Sequence, residues 1–187
     1  MFSAVNKTQE EQILSAAYIC IAREGYGSVS LRQIAQEAGV AVSQISYHFK
    51  NKEGLLLAVI AQAAEKYHNL MRQTIADIQS PAEKEERLIA LFKEVLMKDT
   101  ALFRVIYDSA GLALFSETFR TKMQEVFAGI RQQIVDEIQT AVEDPADVAP
   151  ISRLMFGVIL GTAIQFLLEP DDPAILDSLD MLGRFFS

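Results

Sequence analysis

The stretch from Ser30 to Glu53, SLRQIAQEAGVAVSQISYHFKNKE, constrains this chain more than any other part of it. Leu31, Ile34, Ala35 and Ala38 recur at the spacing of one helical face. Gly39 follows where a chain leaving a helix needs a left-handed residue, a conformation glycine adopts without steric cost. Val40, Ile45 and Phe49 then resume an apolar face on a second short helix. Ala35, Gly39 and Ile45 together predict a helix-turn-helix of the DNA-reading kind. Alanine lets the helices cross closely, glycine turns the chain, and isoleucine packs the second helix back onto the first. Ser43, Gln44, Ser46, Tyr47 and His48 are left facing outward. A glutamine on such a face can pair bidentately with the N6 and N7 edge of adenine, worth ~1–3 kcal/mol of discrimination. Serines there specify weakly. The plain alternative is a solvated helix face, and the turn spacing beside Tyr47-His48 weighs against it.

Capping signals divide the rest of the chain. Thr8 with Glu11, and Ser30 with Gln33, are capping boxes that start the first and second helices. Gly25 ends the first helix, and Tyr26 can pack beneath it. Asn51 is the expected N-cap of a long fourth helix from Lys52 to about Ile78. Ser80-Pro81-Ala82-Glu83 starts a fifth. A sixth spans roughly residues 100–112, and a seventh begins near Ser116. Asp144-Pro145 or Asp147 starts an eighth, with Pro150 tolerable only in its first turn. That helix is apolar nearly all round, as expected of one buried on more than one side. Asp172-Pro173 starts a ninth, running to the C-terminus with Ile175, Leu179, Leu182 and Phe186 on one face. The fold class is therefore all-α with about nine helices. We expect a three-helix head over residues 1–53 and a helical body over residues 54–187.

Charge and cysteine content limit what such a chain can do. Half of its 187 residues are hydrophobic and 22% are charged, a globular composition. Its net charge is −8, whereas a basic domain is the usual footprint of a nucleic-acid binder. Residues 1–53 hold five Lys/Arg against five Asp/Glu, so all the acidity lies in residues 54–187. A neutral head must bind DNA through a local cluster and the positive ends of its helices. Cys20 is the only cysteine and falls on an apolar helical face, so it reads as a packed thiol. With two histidines and no cysteine cluster, no metal site is expected, and no cofactor. No nucleophile with an orienting base and acid is evident, so no enzyme is expected either. The N-terminus lacks an apolar core of signal-peptide length. The most apolar run, residues 154–168, falls short of the roughly 20 residues that span a bilayer. A cytoplasmic protein with no membrane partner follows.

Residues 13–60 resemble throughout the DNA-binding domain of the tetracycline-repressor (TetR) family of bacterial transcription regulators. The most specific pieces are the G-Y after helix one, the S-L-R-Q-I-A-x-x-A-G-V of helix two and the Y-H-F-K-N-K-E after helix three. The remaining two-thirds is similar to the family only in architecture. The resemblance implies a homodimer, two heads on two half-sites of double-stranded DNA, and a small-molecule effector in the body. It also implies residue roles. Ser30 contacts phosphate, and Arg32 contacts phosphate or base. Gln44 and Ser46 face base edges, Tyr47 and His48 grip the backbone, and Lys52 meets a phosphate. Many members carry glycine where Ser43 stands, commonly tyrosine where Ser46 stands, and glutamate where Gly54 stands. The first two differences change the reading surface.

In the body, Phe92, Phe103, Tyr107, Phe127 and Gln165 are candidates to line an effector pocket, since such pockets are apolar with a few polar groups. Aromatics at helical spacing are equally the stuff of core. Val158, Gly161, Leu179 and Leu182 are candidates for a dimer interface in which two helices from each subunit form a four-helix bundle. The expected function is a DNA-binding transcriptional regulator, a repressor released from a pseudo-palindromic operator by a small-molecule ligand. The alternative is a helical small-molecule or lipid-binding protein with a vestigial DNA-binding head.

Overall fold

The computed structural model describes residues 8–139, 142 and 144–181. Among these, the chain forms nine α-helices and no strand. They are α1 (Gln9–Glu24), α2 (Leu31–Ala38), α3 (Val42–Phe49), α4 (Lys52–Ile75) and α5 (Pro81–Lys98), followed by α6 (Thr100–Ala113), α7 (Glu117–Ile138), α8 (Pro145–Leu168) and α9 (Pro173–Asp177). A short 3₁₀ segment, Ser178–Met181, follows α9.

The backbone groups into two compact units. The first comprises Met1–Ala64 with Arg104–Met123, and the second Glu65–Phe103 with Gln124–Ser187. Each of α4, α6 and α7 contributes residues to both. The first unit holds eight Lys/Arg against seven Asp/Glu, the second nine against eighteen.

Within the first unit, α1 packs on α2 and α2 on α3. Ile13, Ala17, Val29, Ile34, Ile45, Leu55, Leu56 and Val59 are almost wholly buried and form its core. Full burial of each large side chain contributes about 1.5–3 kcal/mol. Cys20 belongs to the same core at 1% exposure, and burial pushes its thiol up. Both expected capping boxes form. Thr8 and Ser30 accept the backbone N–H of Glu11 and Gln33, whose side chains return to the cap backbones.

The second unit departs from the sequence expectation in four places. Helix α4 ends at Ile75, one turn before Ile78. Helix α8 starts at Pro145, capped by Asp144, so Pro150 lies beyond its first turn. Proline there removes one helical hydrogen bond, but Ala146 and Pro150 are both exposed, so water can take the freed carbonyl. Helix α8 is also far from buried on several sides: 22% of its most apolar 18-residue window is buried within the chain. Counted from Pro145 it has 24 residues and mean hydropathy 1.8 in that window, so it is long and apolar enough to cross a bilayer. Finally, the ninth helix changes to 3₁₀ after Asp177, where Ser178 Oγ donates to the Ile175 carbonyl. Ile175 and Leu179 are both buried within the chain, whereas the sequence reading offered Leu179 to a dimer interface; Leu182 and Phe186 lie outside the described residues.

Candidate nucleic-acid interface

The head is built by its turns. Gly39 adopts φ +69° and ψ 30°, and its N–H reaches back to the carbonyls of Ala35 and Gln36. Val40 N–H adds a 2.9 Å bond to the Ala35 carbonyl, which closes α2 and launches α3 at a fixed angle. Ile45 and Phe49 on α3 are buried against this frame, which determines the opposite face.

That opposite face carries the residues that the sequence assigns to a reading surface. Ser43, Ser46 and Tyr47 are exposed, Tyr47 at 81%. Gln44 is half-buried, and its amide has no hydrogen-bond partner within the described residues. The amide therefore keeps its full complement of donors and acceptor uncommitted. Ser46 Oγ donates to the Val42 carbonyl at 3.4 Å, which spends its proton on its own helix and leaves it an acceptor. His48 turns toward α1: Nε2 is 3.4 Å from Gln9 Oε1, and Nδ1 is 4.0 Å from Glu10 Oε2. Its ring meets Tyr47 edge-on, with centroids 5.2 Å apart. Histidine thus braces the tyrosine against the first helix.

The cations divide into two groups. Arg32 and Lys50 are exposed, and neither is engaged by a carboxylate among the described residues. Lys52 turns inward: its ammonium donates to the Tyr26 carbonyl and lies 4.2 Å from the centre of the Tyr26 ring. Ser30 is committed to its cap, donating to Gln33 Oε1 at 2.7 Å and accepting the Gln33 N–H at 3.2 Å. Asn51 likewise caps α4, accepting the Gly54 N–H at 2.8 Å.

The body candidates fall into several settings. In the second unit, Phe92 and Phe103 form an edge-on pair at 5.9 Å, and Phe127 pairs with Phe156 at 4.9 Å. Tyr107 belongs to the first unit. Gln165 is exposed and donates to the Gly161 carbonyl on its own helix. Val158 is 39% exposed and Gly161 is half-buried. Leu179, at 1% exposure, packs inside its own chain and so leaves almost no surface for a partner. Leu154 and Leu168, not singled out from the sequence, are 71% and 73% exposed on α8. Leu154 stands four residues before Val158 and seven before Gly161, and Leu168 seven after Gly161, a helical-face spacing legible in the sequence. The inward partners of Lys52 were not.

A capped α2, a left-handed glycine turn and a polar outer face on α3 define a DNA-binding helix-turn-helix protein. Residues 13–59 match the family model described as bacterial regulatory proteins, tetR family. The uncharacterized HTH-type transcriptional regulator YvkB of Bacillus subtilis is 32% identical over 140 residues, covering 71% of this chain and 67% of that protein. The chain belongs to the TetR family and is a DNA-binding transcription regulator. The fatty acid metabolism regulator protein of Bacillus subtilis is 28% identical over 164 residues, 84% of this chain and 83% of that one. The fold extends beyond the head. The crystal structure of FadR from Bacillus subtilis, in complex with stearoyl-CoA, superposes with a TM-score of 0.76 at 24% identity, over 94% of this chain and 96% of that one.

Proposed function

We propose that this regulator is a cytoplasmic homodimeric repressor that a small molecule with a long apolar portion releases from a pseudo-palindromic operator. It acts by binding and not by catalysis. The observation that carries the DNA side is the α3 face, where Ser43, Gln44 and Tyr47 stand outward on a helix fixed by buried Ile45 and Phe49. In a dimer two such helices would enter successive major grooves about 34–36 Å apart. Arg32, Lys50 and Lys52 supply phosphate contacts, with Ser30 adding polarity at the start of α2.

The exposed apolar stripe on α8, Leu154, Val158 and Leu168 with Gly161, supports the dimer, because a soluble protein rarely leaves such a face uncovered. The aromatic pairs Phe92–Phe103 and Phe127–Phe156 support an apolar effector, as do the regulators of fatty acid metabolism among the relatives. Lys66, Lys84, Lys93 and Lys98 are each paired with a carboxylate, and the second unit is strongly acidic. That charge disfavours a polyanionic headgroup, so the acyl chain is the part of the effector we assign. The effector must bind more tightly to a state whose heads are mis-spaced, since equal affinity for both states shifts nothing.

The test is a gel shift on the chain's own upstream region at several salt concentrations, with and without stearate and stearoyl-CoA. Specific binding with a steep salt dependence, released by stearate, supports the reading. Release by stearoyl-CoA alone would move the recognition to the headgroup. Absence of specific binding would favour a helical lipid-binding protein with a vestigial head.

A further inference from the structure

Three segments far apart in sequence meet at Tyr26, in the turn between α1 and α2. Its backbone N–H donates to Asp108 Oδ2 on α6, 82 residues away. Its backbone carbonyl accepts from the Lys52 ammonium at the start of α4. The Tyr26 ring lies against that ammonium, 4.2 Å from centroid to Nζ, and meets Phe119 on α7 edge-on at 5.9 Å. All four residues belong to the first compact unit. Gly25 opens the turn at φ +79°, and a Cβ there would stand 3.8 Å from Asp108 Oδ2, so the turn lies directly against that carboxylate.

Lys52 is half-buried by this arrangement. Burial holds its ammonium below the ordinary lysine range, and the Asp108 carboxylate pushes it back up. Asp108 therefore does two things at once: it fixes the Tyr26 peptide, and it favours a charged Lys52 at that peptide. An ammonium held by a carbonyl and an aromatic face is drawn inward, and it loosens those contacts when it moves out to a phosphate beyond their reach. Any state in which it stays inward lowers the apparent affinity for DNA by the fraction it occupies.

We propose that Asp108 is a positioning residue for DNA affinity, holding Lys52 inward through Tyr26 until a DNA phosphate draws it out. This rests on the reading of Lys52 as a phosphate contact. Asp108 touches no DNA itself. It sets how readily one cation of the head is released.

The test is a double-mutant cycle on the full chain, read by DNA affinity and its salt dependence. Asp108→Asn keeps an acceptor for the Tyr26 N–H and removes the charge that favours the inward ammonium. We expect it to tighten binding to cognate and scrambled DNA alike by about 3–10-fold, with the salt slope steepening by at most the ~0.9 of one phosphate. In a Lys52→Met background the same substitution should give no gain. An equal gain in both backgrounds overturns the proposal, because the effect would then be long-range charge alone. No gain in the wild-type background overturns it too. Should Asp108→Asn fail to fold, Tyr26→Leu removes the ring beneath Lys52 but keeps the backbone groups, and its gain must also vanish with Lys52→Met. If Lys52→Met alone changes neither affinity nor salt slope, the phosphate reading itself fails. That result is distinct from a failure of the Asp108 coupling.

Discussion

A Cβ built on Gly54 would lie 2.3 Å from the carbonyl oxygen of Phe49. The junction between α3 and α4 closes through these two residues. Lys50 takes φ 67°, the Asn51 N–H bonds the Phe49 carbonyl at 2.8 Å, and the Gly54 N–H is capped by Asn51. The glutamate that many relatives carry at this position does not fit this junction. Gly54→Ala should therefore destabilise the protein by about 1–3 kcal/mol, the usual cost of overpacking, as measured by urea unfolding. A change below about 0.5 kcal/mol, within the range of an ordinary surface substitution, would show that the junction relaxes freely.

The parts of the head written in local chemistry were legible in the sequence. Thr8 with Glu11, Ser30 with Gln33, and Gly39 each act within a few residues, and each formed as spacing dictates. The α3 face followed, because burying Ile45 and Phe49 leaves one opposite side. Lys52 was different. The family resemblance implied a phosphate contact for it, but its inward contacts depend on the Tyr26 turn, which Asp108 holds from 82 residues away. No periodicity carries that information. The extent of burial of α8 was not legible for a related reason: its pattern is apolar nearly all round, and pattern alone does not say how much of such a helix its own chain covers.

Arg32 and Lys50 are exposed and, unlike Arg23 beside Glu24 and Glu37, carry no carboxylate partner among the described residues, so each should act through phosphate. Arg32→Gln and Lys50→Gln are expected to weaken cognate and scrambled DNA by equal factors. Each should flatten the salt slope by ~0.9, the contribution of one phosphate contact. Fluorescence anisotropy titrations between 50 and 200 mM salt, a range in which phosphate contacts of this kind show clearly, measure both quantities. A variant that loses affinity only on cognate DNA would instead read bases.

Val158→Glu places a charge in the middle of the exposed apolar stripe on α8. Light scattering at micromolar concentration should then report a monomer, with helical content by circular dichroism unchanged. A wild-type chain that is itself monomeric there would remove the dimer and the two-half-site geometry with it.

Glu85 on α5 has one carboxyl oxygen buried without a hydrogen-bond partner, and burial raises its pKa above the ordinary 4.5. Between the unfolded value and the raised folded value the native state binds more protons than the unfolded state. Stability from this group is therefore full below the unfolded pKa and is lost as pH rises through the folded one. Glu85→Gln should stabilise the protein at neutral pH and remove that part of the slope. Thermal unfolding followed from acid to neutral pH is the check, and an unchanged slope would show that the carboxyl is solvated in the native state.

The central claim is that the outward face of α3 selects a DNA sequence, with the unpartnered Gln44 amide as its most specific reader. The most direct test is the ratio of cognate to scrambled affinity, measured for the wild type and for Gln44→Ala at one salt concentration. A bidentate contact worth ~1–3 kcal/mol predicts that the ratio falls by about 5- to 150-fold while binding to scrambled DNA is unchanged. An equal loss on both DNAs, or no loss on either, would contradict the account.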